Sequence, residues 1–427
     1  MDENEIRRWY QKDIDQITHS IGFRKMQRKS QLLSEKDPRS RSRMIHTIEV
    51  SRIATEISEQ LHLSKELTEA ICLSHDIGTS PYGFIGNSFL SEKTSSKFSH
   101  ETVGSIILLM LSKKPVDLHV DRVKIENLLT EINNEKEKGN SKAKRSLFPS
   151  LSFKGLDFPL YVSKKSTNDE NDKPKNEYYM HTMSPEIIDG VLNHGASGKP
   201  QTLEGQVVQF ADNIAYLSQD IEDLLTTNII DETAFTKISQ QNGTLCCITK
   251  NGKEFRRSWD YIDKQLDSVS LRDVFSESRG KRIAVLVKRF VEYNLRQLRS
   301  EKMKFYGSNI LNCDIPKLET DLGLSFIINF IWSYIEANYD NPLIKTSNAI
   351  QKAKIEQLWN ILQDSTLTSK NACYNQFMDN LNGNSLFDRY DDNWKRAFFI
   401  SNLSWQDVDL IIDSFHERNY TFDIDFD

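Results

Sequence analysis

The stretch CLSHDIGTSPYGFIGN, which runs from Cys72 to Asn87, places a histidine next to an aspartate at the end of an apolar helical segment. Leu67, Ile71 and His75 follow one another in steps of four, so His75 is predicted to lie on the inward face of that helix. A turn rich in glycine, serine and proline then ends the helix. By itself, the pair His75 and Asp76 fits either two metal ligands at a helix end or a polar terminus before a loop.

The composition is typical of a soluble globular protein. The chain has 427 residues, of which 38% are hydrophobic and 27% are charged, and it is long enough for one large or two ordinary domains. The formal net charge of -6 gives no overall reason to expect nucleic-acid binding. Between Arg24 and Arg43, however, eight lysines and arginines stand against two acids, which suits a phosphate-bearing ligand as well as a solvated basic face.

The cysteines and the apolar segments predict a cytoplasmic protein. The five cysteines form no C-x-x-C pair and no disulfide framework, which fits a reducing compartment. The charged N-terminus, MDENEIRRWY, argues against a signal peptide. The longest apolar run, GLSFIINFIWSYI near residues 323–335, is too short to span a bilayer, so we expect a buried helix and no membrane contact.

Helical periodicity dominates the chain. In HTIEVSRIATEISEQL, apolar residues recur at three- and four-residue steps from Val50 to Leu61, and His46 lies on the same face four residues before Val50. TLEGQVVQFADNIAYLSQDIEDLL is another strong helix with Thr202 as its predicted N-cap, and SPEIIDGVLNHG is a shorter one with Ser184 as its cap. With no βαβ alternation and no glycine-rich phosphate loop, the sequence predicts a mainly α-helical fold.

The domain organisation follows from where this periodicity weakens. Residues 132–177 are polar, highly charged and poor in apolar residues, so they are interpreted as a polar insertion around a short ordered piece. Further helical patterns follow residue 230, and GTLCCITKNGKEFRRSW at residues 243–259 is a candidate hairpin. We therefore predict a helical core over residues 1–230, which contains the insertion, and a C-terminal helical region over residues 231–427 that completes the fold.

Three predicted helices offer residues of the metal-ligand type, namely His46, His75, Asp76 and Asp212. Two imidazoles and two carboxylates suit one divalent cation, with Mn²⁺, Mg²⁺ and Fe²⁺ favoured and Zn²⁺ also compatible. Asp212, Tyr216 and Asp220 are spaced by four, so they form one stripe that suits a metal-bound phosphate followed by a sugar. Each residue alone is more often structural, and periodicity cannot show that the four ligands converge.

These residues occur in ordered blocks that resemble the HD-domain deoxynucleoside triphosphate triphosphohydrolases, the dGTPase-like family. In chain order the blocks are DQITHSIGFRKMQRKSQLL from Asp15, RSRMIHTIEVSRIA from Arg41, LTEAICLSHDIGTSPYGFIGN, KFSHETVGSIILL and TLEGQVVQFADNIAYLSQDIED. FIWSYIEANYDNPLI is similar to the family's C-terminal helical part. The resemblance covers most of the chain outside residues 132–177 and the last fifty residues, and it implies an HD-domain helical core.

The resemblance also implies roles for individual residues. The matches of His46, His75, Asp76 and Asp212 bind one metal ion in the family. Gln31 matches a glutamine that contacts the sugar 3′-hydroxyl, and Tyr216 and Asp220 match residues that hold the deoxyribose. Arg43 matches an arginine near the α-phosphate, and His100 matches a histidine of the catalytic pocket. The implied reaction is attack of water on the α-phosphorus of a dNTP, which releases the deoxynucleoside and inorganic triphosphate.

The opening stretch departs from the family pattern, which usually reads HDLGHPPFGHAGE. Thr79 and Phe84 stand where histidines are expected, and Asn87 stands where an acid is expected. The histidine and acid matched by Phe84 and Asn87 form a catalytic dyad in much of the family, and neither phenylalanine nor asparagine relays a proton at neutral pH. The metal-binding set is therefore complete while part of the proton-transfer set is missing.

Three functional hypotheses follow from this pattern. The first is an active dNTP triphosphohydrolase that relies on the metal, Arg43 and His100. The second is a dNTP-binding sensor or regulatory subunit without turnover, and the third is another HD-type metal-dependent phosphohydrolase that acts on a different substrate. Retention of Gln31, Tyr216 and Asp220, which serve a sugar, favours the first two. By resemblance, we also expect a homo-oligomer with a regulatory nucleotide, while His194 is interpreted as structural.

Overall fold

The computed structural model describes residues 3–29, 41–94, 98–111, 183–230, 278–300 and 314–416, without 369, 370 and 389, together with short strands between these ranges. Helices of the first half are α1 (Glu3–His19), α2 (Ile21–Lys25), α3 (Arg43–Gln60), α4 (Lys65–Ser74), α5 (Gly83–Lys93), α6 (His100–Leu111), α7 (Pro185–Asn193) and α8 (Leu203–Thr226). Those of the second half are α9 (Arg279–Arg299), α10 (Leu322–Asn338), α11 (Pro342–Gln363), α12 (Ser365–Thr368), α13 (Ala372–Asn382), α14 (Asp392–Ser401) and α15 (Trp405–His416). The prediction of a mainly α-helical fold is confirmed.

The strands are short and pair in antiparallel fashion. They are β1 (Lys113–Pro115), β2 (Leu151–Phe153), β3 (Leu156–Phe158), β4 (Val162–Ser166), β5 (Asn176–His181), β6 (Ser239–Gln241), β7 (Thr244–Ile248), β8 (Glu254–Ser258), β9 (Lys304–Ser308) and β10 (Asp314–Lys317). Their sheets have the orders β1-β5-β4, β2-β3, β6-β7-β8 and β10-β9. The hairpin predicted within 243–259 is confirmed, because Thr244 of β7 pairs with Ser258 of β8.

Strands also occur inside the region that the sequence predicted to be a polar insertion. There β2 pairs with β3, so that Leu151 lies opposite Phe158 and Phe153 lies opposite Leu156. The segment LSFKGLDF alternates apolar and polar residues around Lys-Gly, a local pattern that favours a hairpin within an otherwise polar stretch. The predicted domain boundaries at residues 132, 177 and 230 stay predictions.

The core that positions the site is built from α3, α4, α7 and α8. Helix α3 packs against both α4 and α8, and α7 packs against α4, α6 and α8. Val50, Ile53 and Ile57 of α3 are buried, as their spacing predicts. The predicted N-cap of α8 is confirmed, since the Thr202 hydroxyl accepts a hydrogen bond from the Gly205 N–H at 3.0 Å. Ser184 precedes α7, but its hydroxyl donates to Asp13 instead of capping the helix.

Helices of the second half cover this core. Helices α9 and α10 pack on α8, α11 packs on α5 and α15, and α14 packs on α5 and α6. The apolar run predicted to be a buried helix forms α10, in which Ile327, Ile331 and Ile335 are fully buried. None of the helices in the described part of the chain is both long and apolar enough to cross a membrane.

The turn after His75 and Asp76 is held very tightly. A Cβ atom built on Gly78 would lie 2.2 Å from both the Gly104 nitrogen and the His100 carbonyl oxygen on α6, so only glycine fits there. On the other side, the buried Lys29 ammonium donates to the carbonyl oxygens of Thr79 at 2.6 Å and Ser401 at 2.8 Å. The turn is therefore clamped between the N-terminal segment, α6 and α14.

We predict that Gly78→Ala destabilises the fold by about 3 kcal/mol, because the added methyl group meets backbone atoms that cannot rotate away. Gly280→Ala is the matched control, since a Cβ atom there has nothing within 4 Å, and we expect it to change stability by no more than about 1 kcal/mol. Chemical denaturation of both variants measures the difference. Equal stabilities would show that the turn yields more easily than its contacts indicate.

A second prediction concerns pH. Burial, followed by the nearby Lys25, lowers the pKa of Lys29 to about 7, whereas the unfolded chain keeps the ordinary value. Between about pH 7 and pH 10 the unfolded state therefore binds more protons, so the Lys29 contribution to stability rises with pH by up to about 1.4 kcal/mol per unit. Lys29→Met should remove this rise relative to the parent protein. Parallel stability curves over that range would contradict the prediction.

Candidate metal centre and cavity

The structure brings the four predicted metal ligands together. His46 Nε2 lies 2.9 Å from Asp212 Oδ1 and 3.8 Å from Asp76 Oδ2. His75 Nε2 lies 3.5 Å from Asp76 Oδ2 and 3.7 Å from Asp212 Oδ1. Atoms that bind one cation at about 2.1 Å lie roughly 3 to 4 Å apart, so these side chains fit a single divalent ion.

Helix ends and a helix centre position these ligands. His46 lies in the first turn of α3, which begins after Ser42, and His75 is the residue that ends α4. Asp212 lies near the middle of α8, where it is only partly buried. Because these helices pack against one another, residues that are far apart in sequence share one small volume.

Both imidazoles direct Nε2 toward this volume. His46 Nδ1 donates to the Gln219 side-chain oxygen at 2.9 Å, and His75 Nδ1 donates to the Cys72 carbonyl at 2.7 Å. His46 Nε2 lies within hydrogen-bond distance of Asp212 Oδ1, and a cation between the two would be bound by both, an arrangement common at metal-binding histidines. His75 Nε2 is buried and has no hydrogen-bond partner within the described ranges, and a cation would satisfy it.

Asp76, which is buried, and Asp212, which is partly buried, both stay ionised. Arg43 donates to Asp76 Oδ2 at 2.9 Å and the Thr79 hydroxyl donates to Asp76 Oδ1 at 2.8 Å. Burial opposes ionisation, but Arg43 and then His75 hold the pKa of Asp76 well below its usual range. For Asp212, burial is likewise outweighed by the imidazole of His46 at hydrogen-bond distance and by that of His75 nearby, which lower its pKa. The centre therefore carries fixed negative charge that attracts a cation.

A cavity of about 760 Å³ opens beside this centre. Arg43, Asp76, Asp212 and Tyr216 line it, together with Trp332 of α10. The Tyr216 ring stacks on Trp332 with ring centres 5.4 Å apart, and the indole N–H donates to Asn213 at 2.8 Å. Tyr216 therefore forms a flat aromatic wall one helical turn beyond the candidate ligand Asp212, and its predicted contact with a sugar stays a prediction.

Asp220 lies deeper than the cavity surface. Its side chain is fully buried and accepts a hydrogen bond from the Tyr339 hydroxyl at the end of α10. Burial raises the pKa of Asp220 to about 8. A second cavity of about 490 Å³ is lined by Tyr216, Trp332 and Tyr339. Asp220 is connected to this cavity by its hydrogen bond with the Tyr339 hydroxyl. Gln31, the other predicted sugar contact, lies outside the described residues.

His100 lies at the cavity wall and contacts His194, a histidine that was predicted from the sequence to be structural. His100 Nε2 is 3.1 Å from His194 Nε2 and 4.0 Å from Asp76 Oδ1. His194 follows α7 and donates Nδ1–H to the Val191 carbonyl at 2.6 Å, the same contact that His75 makes to Cys72. The signal that could have found it is this shared pattern, a histidine directly after an apolar helix. Burial, then His100 and His75, lowers the pKa of His194 to about 4, so it is neutral.

The three departures from the family pattern have structural positions of their own. Thr79 bonds Asp76 as described, and the Asn87 side-chain oxygen accepts a hydrogen bond from the Ser80 N–H at 3.0 Å. Phe84 is 71% exposed and lines both cavities. Asn87 thus fixes the turn, and Phe84 presents an apolar ring where the family pattern has a proton-transfer group.

Comparisons with known proteins agree with this geometry. Residues 43–217 match the HD domain family, and this range contains all four candidate ligands. The chain is 29% identical over 307 residues to a deoxyguanosinetriphosphate triphosphohydrolase-like protein of Caldanaerobacter subterraneus, which covers 71% of this chain and 67% of that protein. Proteins of the same name match from Clostridium perfringens, at 27% over 239 residues, and Clostridium tetani, at 25% over 345 residues. The second match covers 55% of this chain and 52% of the relative, and the third covers 79% and 75%.

We predict that Mn²⁺ raises the melting temperature of the protein, because a cation that binds only the folded centre stabilises it by about 2.7 kcal/mol at a hundred times the dissociation constant. His75→Ala should abolish the shift, since it removes the ligand atom that has no other described partner. His416→Ala, an exposed histidine on α15, is the control and should keep it. Equal shifts in both variants would place the bound metal elsewhere.

Proposed function

Because residues 43–217 form an HD domain and the chain resembles the deoxyguanosinetriphosphate triphosphohydrolase-like proteins, we propose that it hydrolyses deoxynucleoside triphosphates in a metal-dependent reaction. The products would be the deoxynucleoside and inorganic triphosphate. The observation that carries the proposal is the convergence of His46, His75, Asp76 and Asp212 at one end of a cavity that Arg43 and Tyr216 also line.

The phosphate end of the substrate would lie against Arg43. A bound divalent cation supplies an acidified water molecule and neutralises charge on the phosphoryl oxygens. Arg43 uses one guanidinium nitrogen for Asp76, and its Nε has no hydrogen-bond partner among the residues that the structure describes. Its remaining N–H groups can donate charge-assisted hydrogen bonds to the α-phosphate, where negative charge develops in the transition state.

Proton transfer would fall to His100. Bond cleavage at the α-phosphorus leaves a negative charge on the 5′-oxygen of the deoxynucleoside, which needs a proton. His100 lies on the cavity wall between Glu101, whose Oε2 is 3.5 Å from Nδ1, and the neutral His194. These two neighbours hold the imidazole in place, and a general acid at this position contributes about 10²- to 10⁴-fold to the rate.

The sugar would pack on Tyr216. Its ring is held by Trp332, and Asp220 and Tyr339 form a hydrogen-bonded pair beneath it. Tight packing of a deoxyribose on this wall would exclude a 2′-hydroxyl and so would select deoxynucleotides. Asp220 then acts through the Tyr339 hydroxyl, and direct contact between Asp220 and the sugar remains a prediction.

A second candidate function is a dNTP-binding sensor without turnover. The observation that favours it is the use of Asn87 to fix the turn and of Phe84 as an exposed apolar ring, because neither side chain can move a proton. The metal, Arg43 and Tyr216 would still bind the nucleotide. Both hypotheses share one cavity and differ only in whether the bond at the α-phosphorus breaks.

The decisive experiment incubates the purified chain with each dNTP and Mn²⁺ or Mg²⁺ and measures triphosphate and deoxynucleoside. We expect both products in equal amounts, together with a loss of turnover by about 10²- to 10⁴-fold in His100→Ala with the metal still bound. A dNTP-dependent thermal shift without products would establish the sensor. Release of monophosphate or diphosphate would instead identify another phosphohydrolase reaction.

A further inference from the structure

A series of buried and partly buried hydrogen bonds leads from the candidate metal centre to the start of α9. His46 Nδ1 contacts Gln219 Oε1 at 2.9 Å, and the other end of the same amide donates to Glu49 Oε2. Glu49 is in turn held by Arg279, whose Nη1 lies 2.5 Å from Glu49 Oε1. Gln219 is fully buried, and Arg279 lies outside the range that matches the HD domain.

The contact between Glu49 and Arg279 determines which atom donates and which accepts in each of these hydrogen bonds. An ionised carboxylate only accepts hydrogen bonds, and the contact with Arg279 keeps Glu49 ionised. Gln219 must therefore turn its NH₂ group toward Glu49 and its carbonyl oxygen toward His46. A carbonyl oxygen only accepts, so His46 must carry a proton on Nδ1, which leaves Nε2, 2.9 Å from Asp212 Oδ1, as the nitrogen that can bind a cation.

We propose that Gln219, Glu49 and Arg279 are positioning residues that set the tautomer and orientation of His46 for metal binding. The inference rests on the metal site of the proposed function, although it does not depend on which phosphate ester is hydrolysed. Partners of metal-binding histidines typically change metal affinity by about ten- to a hundredfold when they are removed. Here the hydrogen bonds of Gln219, Glu49 and Arg279 join α8, α3 and α9, so a helix of the second half of the protein supports the candidate metal centre in the first half.

The same polarity argument predicts a graded series at position 219. Gln219→Leu keeps the approximate volume but neither accepts from His46 nor donates to Glu49. Gln219→Glu still accepts from His46, but it places a second carboxylate against Glu49. Gln219→His restores both functions, because a neutral imidazole has one accepting and one donating nitrogen. The expected order of Mn²⁺ affinity is the parent protein and Gln219→His first, then Gln219→Glu, then Gln219→Leu.

The experiment measures Mn²⁺ binding to the metal-free full-length chain by calorimetry, without nucleotide. We expect Gln219→Leu to bind Mn²⁺ about ten- to a hundredfold more weakly while its stability without metal stays close to that of the parent. Glu49→Gln, which removes only the charge that orients the amide, should weaken binding in the same direction. His46→Ala serves as the reference for complete loss of this ligand.

Each outcome decides the matter. Unchanged affinity in Gln219→Leu, with weakened binding in His46→Ala, overturns the positioning role and leaves the metal site intact. Unchanged affinity in both variants overturns the metal site itself, and with it the proposed function. An affinity order that follows stability without metal, with Gln219→His below Gln219→Leu, shows that Gln219 acts only through packing and also overturns the proposal.

Discussion

The rest of the structure depends on bringing two imidazoles and two carboxylates from three helices into one small buried volume. Removing charged groups from water costs free energy unless each group has a partner of opposite charge or a hydrogen bond. Arg43 is the partner of Asp76, and both imidazoles face Asp212. The backbone must also approach closely, which explains glycine at positions 78 and 104, where the turn meets α6. The Lys29 side chain also holds that turn, because its nitrogen donates a hydrogen bond to the Thr79 carbonyl oxygen.

Local patterns in the sequence predicted much of this arrangement, but they could not predict its convergence. The apolar spacing of α3, α4 and α8 placed His46, His75 and Asp212 on inward faces, and Thr202 marked where α8 begins. These faces meet at one point because helices that are more than a hundred residues apart in the sequence pack together. Periodicity within one helix carries no information about that packing. His194 was not predicted as a site residue because a single buried histidine is usually structural. Its place in the candidate site is seen only from its contacts with His100 and His75. A short ordered piece was predicted within residues 132–177, but its strands were not identified because the charged composition around them outweighed a short alternating pattern.

The departures from the family pattern gain a physical meaning from their neighbours. Asn87 is not an inert replacement for an acid, because its amide oxygen accepts from Ser80 and so fixes the turn that carries Asp76. The Thr79 hydroxyl likewise donates to Asp76, one of the candidate ligands. Where the family pattern has a proton-transfer pair, this chain thus has side chains that hold the turn and a candidate metal ligand. In the proposed function, cation binding would therefore be kept, and proton transfer would fall to His100.

The candidate metal centre and the aromatic wall at Tyr216 depend on residues outside the range that matches the HD domain. The family match ends at residue 217, yet Gln219, which holds His46, and Asp220, which holds Tyr339, follow directly on the next turn of α8. The later helices reach this part of α8 through Arg279 of α9, which binds Glu49, through Trp332 of α10, which stacks on Tyr216, and through Tyr339, which donates to Asp220. Because one face of α8 carries the candidate ligand Asp212 while the next turn contacts these later helices, a displacement of α9 or α10 would be transmitted to His46 and Tyr216 together. In the proposed function, cation binding and sugar packing would thereby be coupled through a single helix.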